Sequence, residues 1–374
     1  MDGRRLTVMQ MLPALDGGGV ESSALEMSEE IVRAGHRSIV VSSGGPLVGQ
    51  LELHGAEHIE LPITKRHLVG SLRAVSRLKE ILRAEQVDVL HARSRHPAWV
   101  AWLAWRKLPA AWRPRFVTTA HGLYSVNPYS AIMAKGEKVI AVSETVRDYL
   151  LSSFPRLLDL DTVETIYEGI DQLNYTPDFR PSEQWLSRWK QEHPALQQRP
   201  LLTLPGRITR LKGHFDFLTA IHQLKQRGTL VNGLIVGGVD PRRRHYAQEV
   251  ECRIVELGLQ DHVMMLPHRL DLREILSVSD VVLSLSSNPP EAFGRTVVEA
   301  LSLGTPVVGY DHGGAAEILR TLFPAGRVTP GDVAEVVRQI EACIETNQEI
   351  HPNLQFTRQH MSETTIRLYE NIAA

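Results

Sequence analysis

The sequence predicts an α/β protein built from two doubly wound, parallel-sheet domains. Three observations support this prediction: apolar runs alternate with helical patterns, the alternation stops once and then restarts, and the chain has 374 residues. Strands that alternate with helices favour parallel βαβ units, and this length exceeds one ordinary hydrophobic core. We therefore predict a first domain over 1–175, a second over 176–352 and a final segment over 353–374.

The first half of the chain contains regular strand and helix signals. The apolar run over 6–12 predicts a buried strand, and a helical pattern over 20–34 follows it after Gly17, Gly18 and Gly19. A basic helix is predicted over 68–85, and Ser143 is placed to cap a helix over 144–152. Further strands are predicted over 38–43, 56–61, 87–91, 115–120 and 138–143.

The alternation of strand and helix signals is interrupted over 169–200, a segment rich in Asp, Asn, Pro and Gln. We place the interdomain link near 171–179. A second series of apolar runs then begins, and the chain ends in an amphipathic helical pattern over 357–372. Strands of the second half are predicted over 201–206, 233–238, 262–266, 280–285 and 306–310. In such sheets, ligands bind beyond the carboxyl ends of the strands, so we expect a cleft between the two halves to hold the ligand.

Composition limits the class of protein. An apolar fraction of 43% and a charged fraction of 22% are typical of soluble globular chains, and a net charge of −2 does not favour nucleic-acid binding. The two cysteines, Cys252 and Cys343, allow at most one disulfide and no structural zinc site. Because neither a signal peptide nor an apolar membrane-spanning run is evident, we expect a cytoplasmic protein.

Positive charge is concentrated over 61–120, which contains twelve Lys or Arg residues and three acids. Trp99, Trp102, Trp105 and Trp112 lie in the same segment. Basic and aromatic residues together are typical of contact with an anionic membrane or glycan. A solvated helix face whose tryptophans pack in the core explains the same pattern, so both interpretations stay open. The first would place the protein peripherally on the cytoplasmic face of an inner membrane.

The most informative segment contains Glu291 and Glu299, eight positions apart on either side of Gly294. A strand-like run and a loop precede it, and a helical pattern follows. We predict Glu291 at or before a helix start and Glu299 about two turns inside, roughly 12 Å along the axis. That spacing suits a nucleotide sugar, with one acid for the sugar, one for the ribose and the helix start for the phosphates. A chance pair of acids is the competing interpretation.

A second segment, 206–213, follows the first strand of the second half and contains Arg207 and Lys212. Fixed cations there could stabilise a diphosphate leaving group, whereas Arg210 is predicted to lie on the surface. Glycines 17–19 could let backbone approach a phosphate. Because Ser22 stands where a dinucleotide fingerprint needs glycine, we do not expect a dinucleotide cofactor. Gly313 and Gly314, following His312, form a third candidate anion cradle, with Glu317 in the first helical turn.

Two histidines stand at predicted strand ends, His91 and His121. His121 is placed to hydrogen-bond a sugar, and His91 is more simply interpreted as structural. None of the sixteen histidines has a metal-binding spacing such as HExxH. We therefore predict no metal site.

With these motifs in this order, the chain resembles family 4 retaining glycosyltransferases of the GT-B fold. The family's E-x7-E motif is met by Glu291 and Glu299, and its G-R-x4-K-G motif by residues 206–213. The resemblance implies two Rossmann-like domains facing across a cleft, the first binding the acceptor and the second the nucleotide sugar. It also implies a carboxy-terminal helix that returns to the first domain, and metal-independent catalysis without a cofactor.

The resemblance also implies roles for single residues. Glu291 would hold the hydroxyl groups of the donor sugar, Glu299 the ribose, Arg207 and Lys212 the diphosphate, and His121 the sugar near its anomeric carbon. Arg295 departs from the small or apolar residue usual at its position, so it could contact a phosphate or an acidic donor. The remaining predicted donor-binding positions are Gly18, Gly19, Phe293, Gly294 and Thr296.

A narrower resemblance links residues 90–95 and 119–122 to enzymes that build bacterial lipopolysaccharide. It implies transfer from a UDP-hexose or UDP-N-acetylhexosamine to a lipopolysaccharide core or another anionic cell-envelope glycan or glycolipid. No protein nucleophile is evident opposite the leaving group, so front-face attack with retention is favoured. A sugar-nucleotide epimerase and a non-catalytic nucleotide-sugar or glycan-binding protein are the alternatives.

Overall fold

The structure, a computed structural model, describes residues 4–63, 68–239, 244–346 and 348–374. It divides into two compact units, Met1–Glu168 with Arg358–Ala374, and Gly169–Thr357. Each unit contains a parallel sheet with helices on its faces, so the predicted fold class of two Rossmann-like domains is confirmed. The unit boundaries fall at 168/169 and 357/358, where the sequence predicted 175/176 and 352/353.

Backbone contacts explain where these boundaries fall. The amide of Ile170 donates to the Phe356 carbonyl at 3.1 Å, and Ile170 forms a parallel bridge with Thr357. The two connecting segments therefore pair with each other inside the second unit. The final helix, Arg358–Ala373, begins directly after this pairing and belongs to the first unit.

The first unit contains a seven-stranded sheet within the described residues, in the order β3-β2-β1-β4-β5-β6-β7. All its neighbouring strands are parallel. The order reverses between β1 and β4, and this switch point is where ligands bind in such sheets. The strands are β1 (Thr7–Met11), β2 (Arg37–Ser42), β3 (Glu57–Glu60), β4 (Val89–Ala92), β5 (Arg115–Ala120), β6 (Lys138–Ala141) and β7 (Val163–Thr165).

Helices cover both faces of this sheet, which explains why most residues of its inner strands are buried. They are α1 (Gly19–Arg33), α2 (Val48–Leu53), α3 (Leu68–Ala84), α4 (Arg95–Arg106) and α5 (Glu144–Ser153), together with the carboxy-terminal helix. As predicted, the Ser143 hydroxyl caps α5, accepting from the Val146 amide at 3.1 Å. The carboxy-terminal helix packs against α1, where Arg358 forms ion pairs with Glu29 and Glu30.

The second unit contains a six-stranded sheet in the described part of the chain, in the order β10-β9-β8-β11-β12-β13. Its neighbouring strands are again parallel, and its order reverses between β8 and β11. The strands are β8 (Leu201–Pro205), β9 (Asn232–Val236), β10 (Val263–Leu266), β11 (Val281–Ser284), β12 (Val307–Tyr310) and β13 (Arg327–Val328). The loops that follow β8 and β11 therefore meet at the ligand-binding edge.

The helices of the second unit cover the core formed by β8, β9, β11 and β12. Trp185 and Trp189 lie on the first helix of this unit, and their two rings stack with centroids 5.0 Å apart. The helices are α6 (Glu183–Glu192), α7 (His214–Gln226), α8 (Arg244–Glu256), α9 (Leu272–Ser277), α10 (Arg295–Ser302), α11 (Gly313–Leu322) and α12 (Val333–Glu345).

Candidate active site

In the second unit, the segment 206–213 forms a tight connection from β8 to α7. Gly206 has a φ of +139° and Gly213 a φ of +73°, values that favour glycine. A side chain at Gly237 would collide with the Gly206 carbonyl, and one at Gly213 with the Leu285 carbonyl. The glycines therefore let the loops after β8, β9 and β11 approach closely. A short 3₁₀ turn, Arg210–Lys212, then carries Lys212 across Gly206.

Lys212 and Glu291 meet at this edge of the sheet. The Lys212 Nζ donates to Glu291 Oε2 at 2.6 Å, and the Ser286 hydroxyl donates to the same oxygen at 3.0 Å. Within the described residues Glu291 Oε1 has no hydrogen-bond partner. One oxygen of the carboxylate is thus anchored, while the other can accept a hydrogen bond from a ligand hydroxyl.

The charge state of Glu291 follows from its surroundings. Burial by itself would raise its pKa, but Lys212, the Ser286 hydrogen bond and the nearby charge of Arg207 outweigh burial and lower the pKa below 4.5. Glu291 is therefore ionised at neutral pH. Arg207 has an exposed side chain, whereas Arg210 pairs with Glu249 and lies 4.9 Å from the Tyr246 ring centroid. Arg210 thus lies on the surface, as predicted.

Gly294 is the amino-terminal cap of α10 and has a φ of +107°. The helix starts at Arg295, so Glu291 precedes it, as predicted, but Glu299 is only the fifth helical residue. The prediction that Glu299 lies two turns inside is wrong, because residues 291–293 are not helical. Only four residue steps lie between Arg295 and Glu299, which is roughly 6 Å of helix rise. The predicted separation of roughly 12 Å along a helix axis between Glu291 and Glu299 therefore does not apply.

Glu299 is buried, at 7% exposure, and its Oε1 accepts from Arg295 Nε at 3.1 Å. The two residues are four apart on α10, so they face the same side of the helix. The unusual Arg295 is therefore bound to the acid predicted to hold the ribose. Thr296 is half-buried, and the Phe293 side chain packs in the core, 6.0 Å from the Phe356 ring centroid. Phe293 thus places its backbone, but not its ring, at the edge of the site.

The Gly313–Gly314 pair, the third predicted anion cradle, lies against the loop that carries Glu291. The Gly314 amide donates to the Glu291 carbonyl at 2.8 Å, and a side chain at Gly313 would lie 2.6 Å from that carbonyl oxygen. The pair thus supports the loop that carries Glu291, and its role as an anion cradle stays a prediction. The prediction that Glu317 lies in the first helical turn is wrong, because α11 already begins at Gly313 and Glu317 is its fifth residue.

In the first unit, the triple glycine lies between β1 and α1. Gly17 has a φ of +111°, and α1 begins at Gly19 with Gly18 as its cap. The Glu21 carboxylate folds back to the space that a side chain at Gly18 would fill. An acid in the first turn complements the helix dipole. The predicted contact of Gly18 and Gly19 with a donor phosphate stays a prediction, and it requires Glu21 to move.

His121 follows β5, and its Nδ1 lies 2.7 Å from Glu168 Oε1. Burial lowers the pKa of His121 below 6.5, although Glu168 acts in the opposite direction. His91 is saturated, with Nδ1 2.6 Å from the Tyr369 hydroxyl and Nε2 2.6 Å from the Thr119 hydroxyl. The interpretation of His91 as structural fits this geometry, and His121 is the histidine available at this edge.

Sequence reasoning missed Ser286 and Glu168, which contact two of the predicted site residues. Ser286 lies two residues beyond β11, so its position after a strand at the switch point could have identified it. Glu168 follows the three-residue strand β7, whose apolar signal is too short to recognise. Across the described ranges, no group of three or more metal-ligating side chains comes together, and no helix is long and apolar enough to cross a membrane.

Comparisons with known proteins agree with this geometry. The sequence profile of Glycosyltransferase Family 4 matches residues 17–172, and that of Glycosyl transferases group 1 matches residues 187–363. The N-acetyl-alpha-D-glucosaminyl L-malate synthase of Bacillus anthracis is 24% identical over 378 residues, which cover 96% of this chain and 94% of that enzyme.

Solved structures give the same result. A glycosyltransferase from Rickettsia africae has a TM-score of 0.84 and 28% identity, covering 99% of both chains. Anabaena HepE in complex with UDP and glucose has a TM-score of 0.81 and 21% identity, covering 98% of this chain and all of that one. Together with the two sheets and the placement of both motifs, these matches show that the chain belongs to the family 4 glycosyltransferases of the GT-B fold.

Proposed function

We propose that this glycosyltransferase transfers a hexose or N-acetylhexosamine, with retention, from a UDP-sugar to a lipopolysaccharide core or another anionic cell-envelope glycan. The observation that carries the donor half of this proposal is the Glu291 carboxylate, with Oε2 held by Lys212 and Ser286 and Oε1 open to a hydroxyl group. The UDP and glucose bound by the similarly folded HepE support a UDP-sugar donor.

In the proposed reaction, the bond between the anomeric carbon and the diphosphate oxygen breaks, and the acceptor oxygen attacks from the same face. The leaving diphosphate takes the acceptor proton. Negative charge develops on that diphosphate, and Arg207 and Lys212 would stabilise it as fixed cations. Lys212 would leave Glu291 for the phosphate, while Glu291 accepts from sugar hydroxyls. We propose that these cations replace a metal ion, so chelation by EDTA should leave the rate unchanged.

A panel of UDP-, GDP- and ADP-sugars tests this proposal with the purified protein. Thermal shift and release of nucleoside diphosphate are measured without acceptor and then with delipidated lipopolysaccharide core. Stabilisation by a UDP-sugar and acceptor-dependent release of UDP are expected, with the anomeric configuration of the product retained by NMR. Conversion of the sugar nucleotide without acceptor would instead identify an epimerase. Stabilisation by none of the nucleotides would overturn the assignment of Glu291 and Glu299.

Arg207→Ala tests the role of the cations. We expect kcat/KM to fall by roughly 10²-fold, about 2.7 kcal/mol, if Arg207 stabilises the leaving group. Arg210→Ala is the matched control, because it removes the same charge from the same loop at a side chain that pairs with Glu249. A loss below about threefold in Arg207→Ala would contradict the role.

We also propose peripheral contact of the basic segment with the cytoplasmic face of the inner membrane. Lys65 and Arg66 lie outside the described residues. Trp99 and Trp105 contribute to the folded structure, because their indole N–H groups donate to backbone carbonyls at 2.9 and 2.7 Å. Trp112 is 63% exposed, and Arg83 lies 5.2 Å from its ring centroid.

The exposed Trp112 borders a groove of about 820 Å³ that also contains Arg4, Arg5, Arg83 and Arg113. An aromatic ring among arginines is suited to an anionic lipid surface. Cosedimentation with vesicles of phosphatidylglycerol and phosphatidylcholine tests this contact. Trp112→Ser with Arg83→Ser should weaken binding, whereas Arg338→Ser, an exposed arginine of α12, should not. Equal binding of the wild type to neutral vesicles would contradict it.

A further inference from the structure

Helix α4 carries a row of alternating cations and aromatic rings along one side. Arg95, Trp99, Trp102 and Arg106 stand at positions i, i+4, i+7 and i+11 of this helix, so they share one face. Trp99 and Trp102 pack partly against the core of the first unit, and Arg106 is exposed. These four residues, together with Lys135, form a half-exposed surface that we call the α4 stripe.

Lys135 joins the stripe from a neighbouring turn. It follows the 3₁₀ turn Ser130–Ala134 as its carboxy-terminal cap, and its Nζ lies 4.2 Å from the Trp102 ring centroid and 5.6 Å from the Trp99 ring centroid. The Arg106 guanidinium carbon lies 4.7 Å from the Trp102 ring centroid. Trp102 therefore attracts two cations through its ring. This attraction holds the charged groups in place without neutralising them.

Arg95 forms the end of the stripe that lies at the carboxyl edge of the sheet, where β4 ends. Its guanidinium carbon lies 4.9 Å from the Tyr124 ring centroid and 5.5 Å from the Tyr129 ring centroid, and its Nη1 donates to Ser130 Oγ at 3.3 Å. Eleven residue steps separate Arg95 from Arg106, which is roughly 16 Å of helix rise. The stripe thus begins where ligands bind in such sheets and extends away from that edge.

The three cations of the stripe have no acidic partner among the residues that the structure describes, since no ion pair joins Arg95, Lys135 or Arg106 to a carboxylate. Other arginines of the same unit are paired: Arg37 with two glutamates and Arg115 with one. The positive charge of the stripe is therefore not neutralised within the unit. Because the rings already hold the cations in position, a ligand would lose less affinity to the ordering of these side chains.

Guanidinium and ammonium groups are the side chains that proteins use to bind phosphate. We propose that the α4 stripe binds phosphate groups of an extended glycan acceptor, which lies along α4 with its reacting end at the carboxyl edge of the sheet. The proposal rests on the proposed transfer to an anionic glycan, and it names the acceptor groups that are recognised and the residues that recognise them.

The two tryptophans of the stripe are less suited to a lipid surface. An aromatic residue that anchors a protein to a membrane places its ring in the headgroup boundary. Trp99 and Trp102 are half-buried and pack against the core, and the Trp99 indole N–H donates to the Tyr129 carbonyl at 2.9 Å. Neither ring is free to enter a lipid layer, so the stripe offers a ligand charge rather than apolar surface.

Calorimetry with delipidated lipopolysaccharide core tests the stripe without any need for turnover. The wild type should bind the phosphorylated core roughly 3- to 10-fold more tightly than the same core after removal of its phosphate groups. Lys135→Gln and Arg106→Gln should each weaken binding of the phosphorylated core by a similar factor and reduce the difference between the two cores. Equal affinity of the wild type for both cores, or no binding of either, would overturn the proposal.

Lys107→Gln is the matched control for the two charge variants. Lys107 is an exposed cation that directly follows α4, and it lies about 100° around the helix from Arg106. Removal of its charge should leave the affinity for the phosphorylated core unchanged. A loss as large as that of Arg106→Gln would show that only the general charge of this surface matters, and would contradict the stripe.

Substitutions of Trp102 test whether the ring contacts contribute to binding. Trp102→Leu keeps every cation but removes the ring that holds Lys135 and Arg106, so the affinity for the phosphorylated core should fall roughly 3-fold. Trp102→Phe keeps an aromatic ring and should retain most of the wild-type affinity. Wild-type affinity in Trp102→Leu would overturn the ordered stripe. Circular dichroism of each variant separates loss of binding from unfolding, and the two charge variants still decide the proposal if Trp102→Leu does not fold.

Kinetics and vesicle binding distinguish failure of the stripe from failure of the proposed function. If no sugar nucleotide is turned over with any acceptor, the proposed function fails, while calorimetry still decides whether the stripe binds a phosphorylated glycan. If transfer occurs, Lys135→Gln should raise the KM of the phosphorylated core with little change in kcat, because the stripe lies away from the reacting atoms. Weaker binding of Lys135→Gln to phosphatidylglycerol vesicles, with unchanged binding of the core, would assign the stripe to the membrane and overturn the proposal.

Discussion

Lys212 and Glu291 are 79 positions apart in the chain and form an ion pair of 2.6 Å at the switch point of the second sheet. Their side chains are only 26% and 28% exposed. The pair holds together the loops after β8 and β11, and it keeps the Glu291 carboxylate ionised. Lys212 and Glu291 neutralise each other's charge. Binding of the proposed donor therefore has to replace this ion pair with contacts between the donor and each of the two side chains.

The first prediction concerns the energy of this pair. Lys212→Met leaves Glu291 partly buried without its cation, and Glu291→Gln leaves Lys212 without its anion, so each variant should be destabilised by about 1–3 kcal/mol. In the double variant no unpaired charge is left. A double-mutant cycle of chemical denaturation should therefore give a coupling energy of about 0.5–3 kcal/mol. Additivity within about 0.5 kcal/mol would show that the contact contributes little.

The second prediction concerns Arg295, which holds Glu299 from one turn away on α10. Arg295→Gln removes this charge-assisted bond, and the Glu299 carboxylate then loses one of the groups that orient it. We expect the affinity for UDP, measured by calorimetry, to fall roughly 3- to 10-fold. Arg338→Gln, an exposed position on α12, should not change it. Tighter UDP binding in Arg295→Gln would instead indicate that Arg295 masks Glu299.

The third prediction compares two glycines. Gly294 has a φ of +107°, and a side chain there would lie 3.2 Å from Ala315, so Gly294→Ala should lower the free energy of unfolding by about 1–3 kcal/mol. Gly49 lies within α2 with open space around it, so Gly49→Ala should raise that free energy by about 0.5–1 kcal/mol. Thermal denaturation of both variants measures the contrast. A stable Gly294→Ala would show that the loop can relax.

Much of the fold followed from the sequence because its main strands are continuous apolar runs. The strands β1, β8 and β11 were predicted within one or two residues, and their ends locate both switch points. The short strands β7 and β13 were not predicted, since two or three residues carry no periodicity. Helix α4 was not singled out, because its tryptophans are compatible with either surface contact or packing.

The candidate site was predicted in its residue types but not in its pairing. The sequence identified Lys212 and Glu291 as ligand-binding groups, but their contact depends on how two loops from distant strands meet. The helix start at Arg295 was placed too early because the loop 291–293 contains residues that also suit a helix. Glu168 could not be identified as a site residue from the sequence, because its role depends on its contact with the ring of His121, 47 positions away in the chain.

The last prediction concerns the pH dependence of stability, which His214 should dominate in the second unit. Burial lowers the pKa of His214 from 6.5 to about 4, helped by the charge of Lys212. As the pH falls below 6.5, the unfolded chain binds a proton here that the folded chain does not bind until the pH approaches 4. The free energy of unfolding must therefore fall across this window, by about 2 kcal/mol from His214 between pH 7.5 and pH 5.

His214→Gln removes this titration, so denaturation at the two pH values should show a loss smaller by about 2 kcal/mol than in the wild type. Burial also lowers the pKa values of His91 and His121. These two residues should therefore still reduce the free energy of unfolding of His214→Gln as the pH falls. His245→Gln is the matched control, because the His245 side chain is 85% exposed on the neighbouring helix α8, and it should lose stability as the wild type does. An unchanged loss in His214→Gln would mean that His214 titrates in the folded protein much as it does in the unfolded chain.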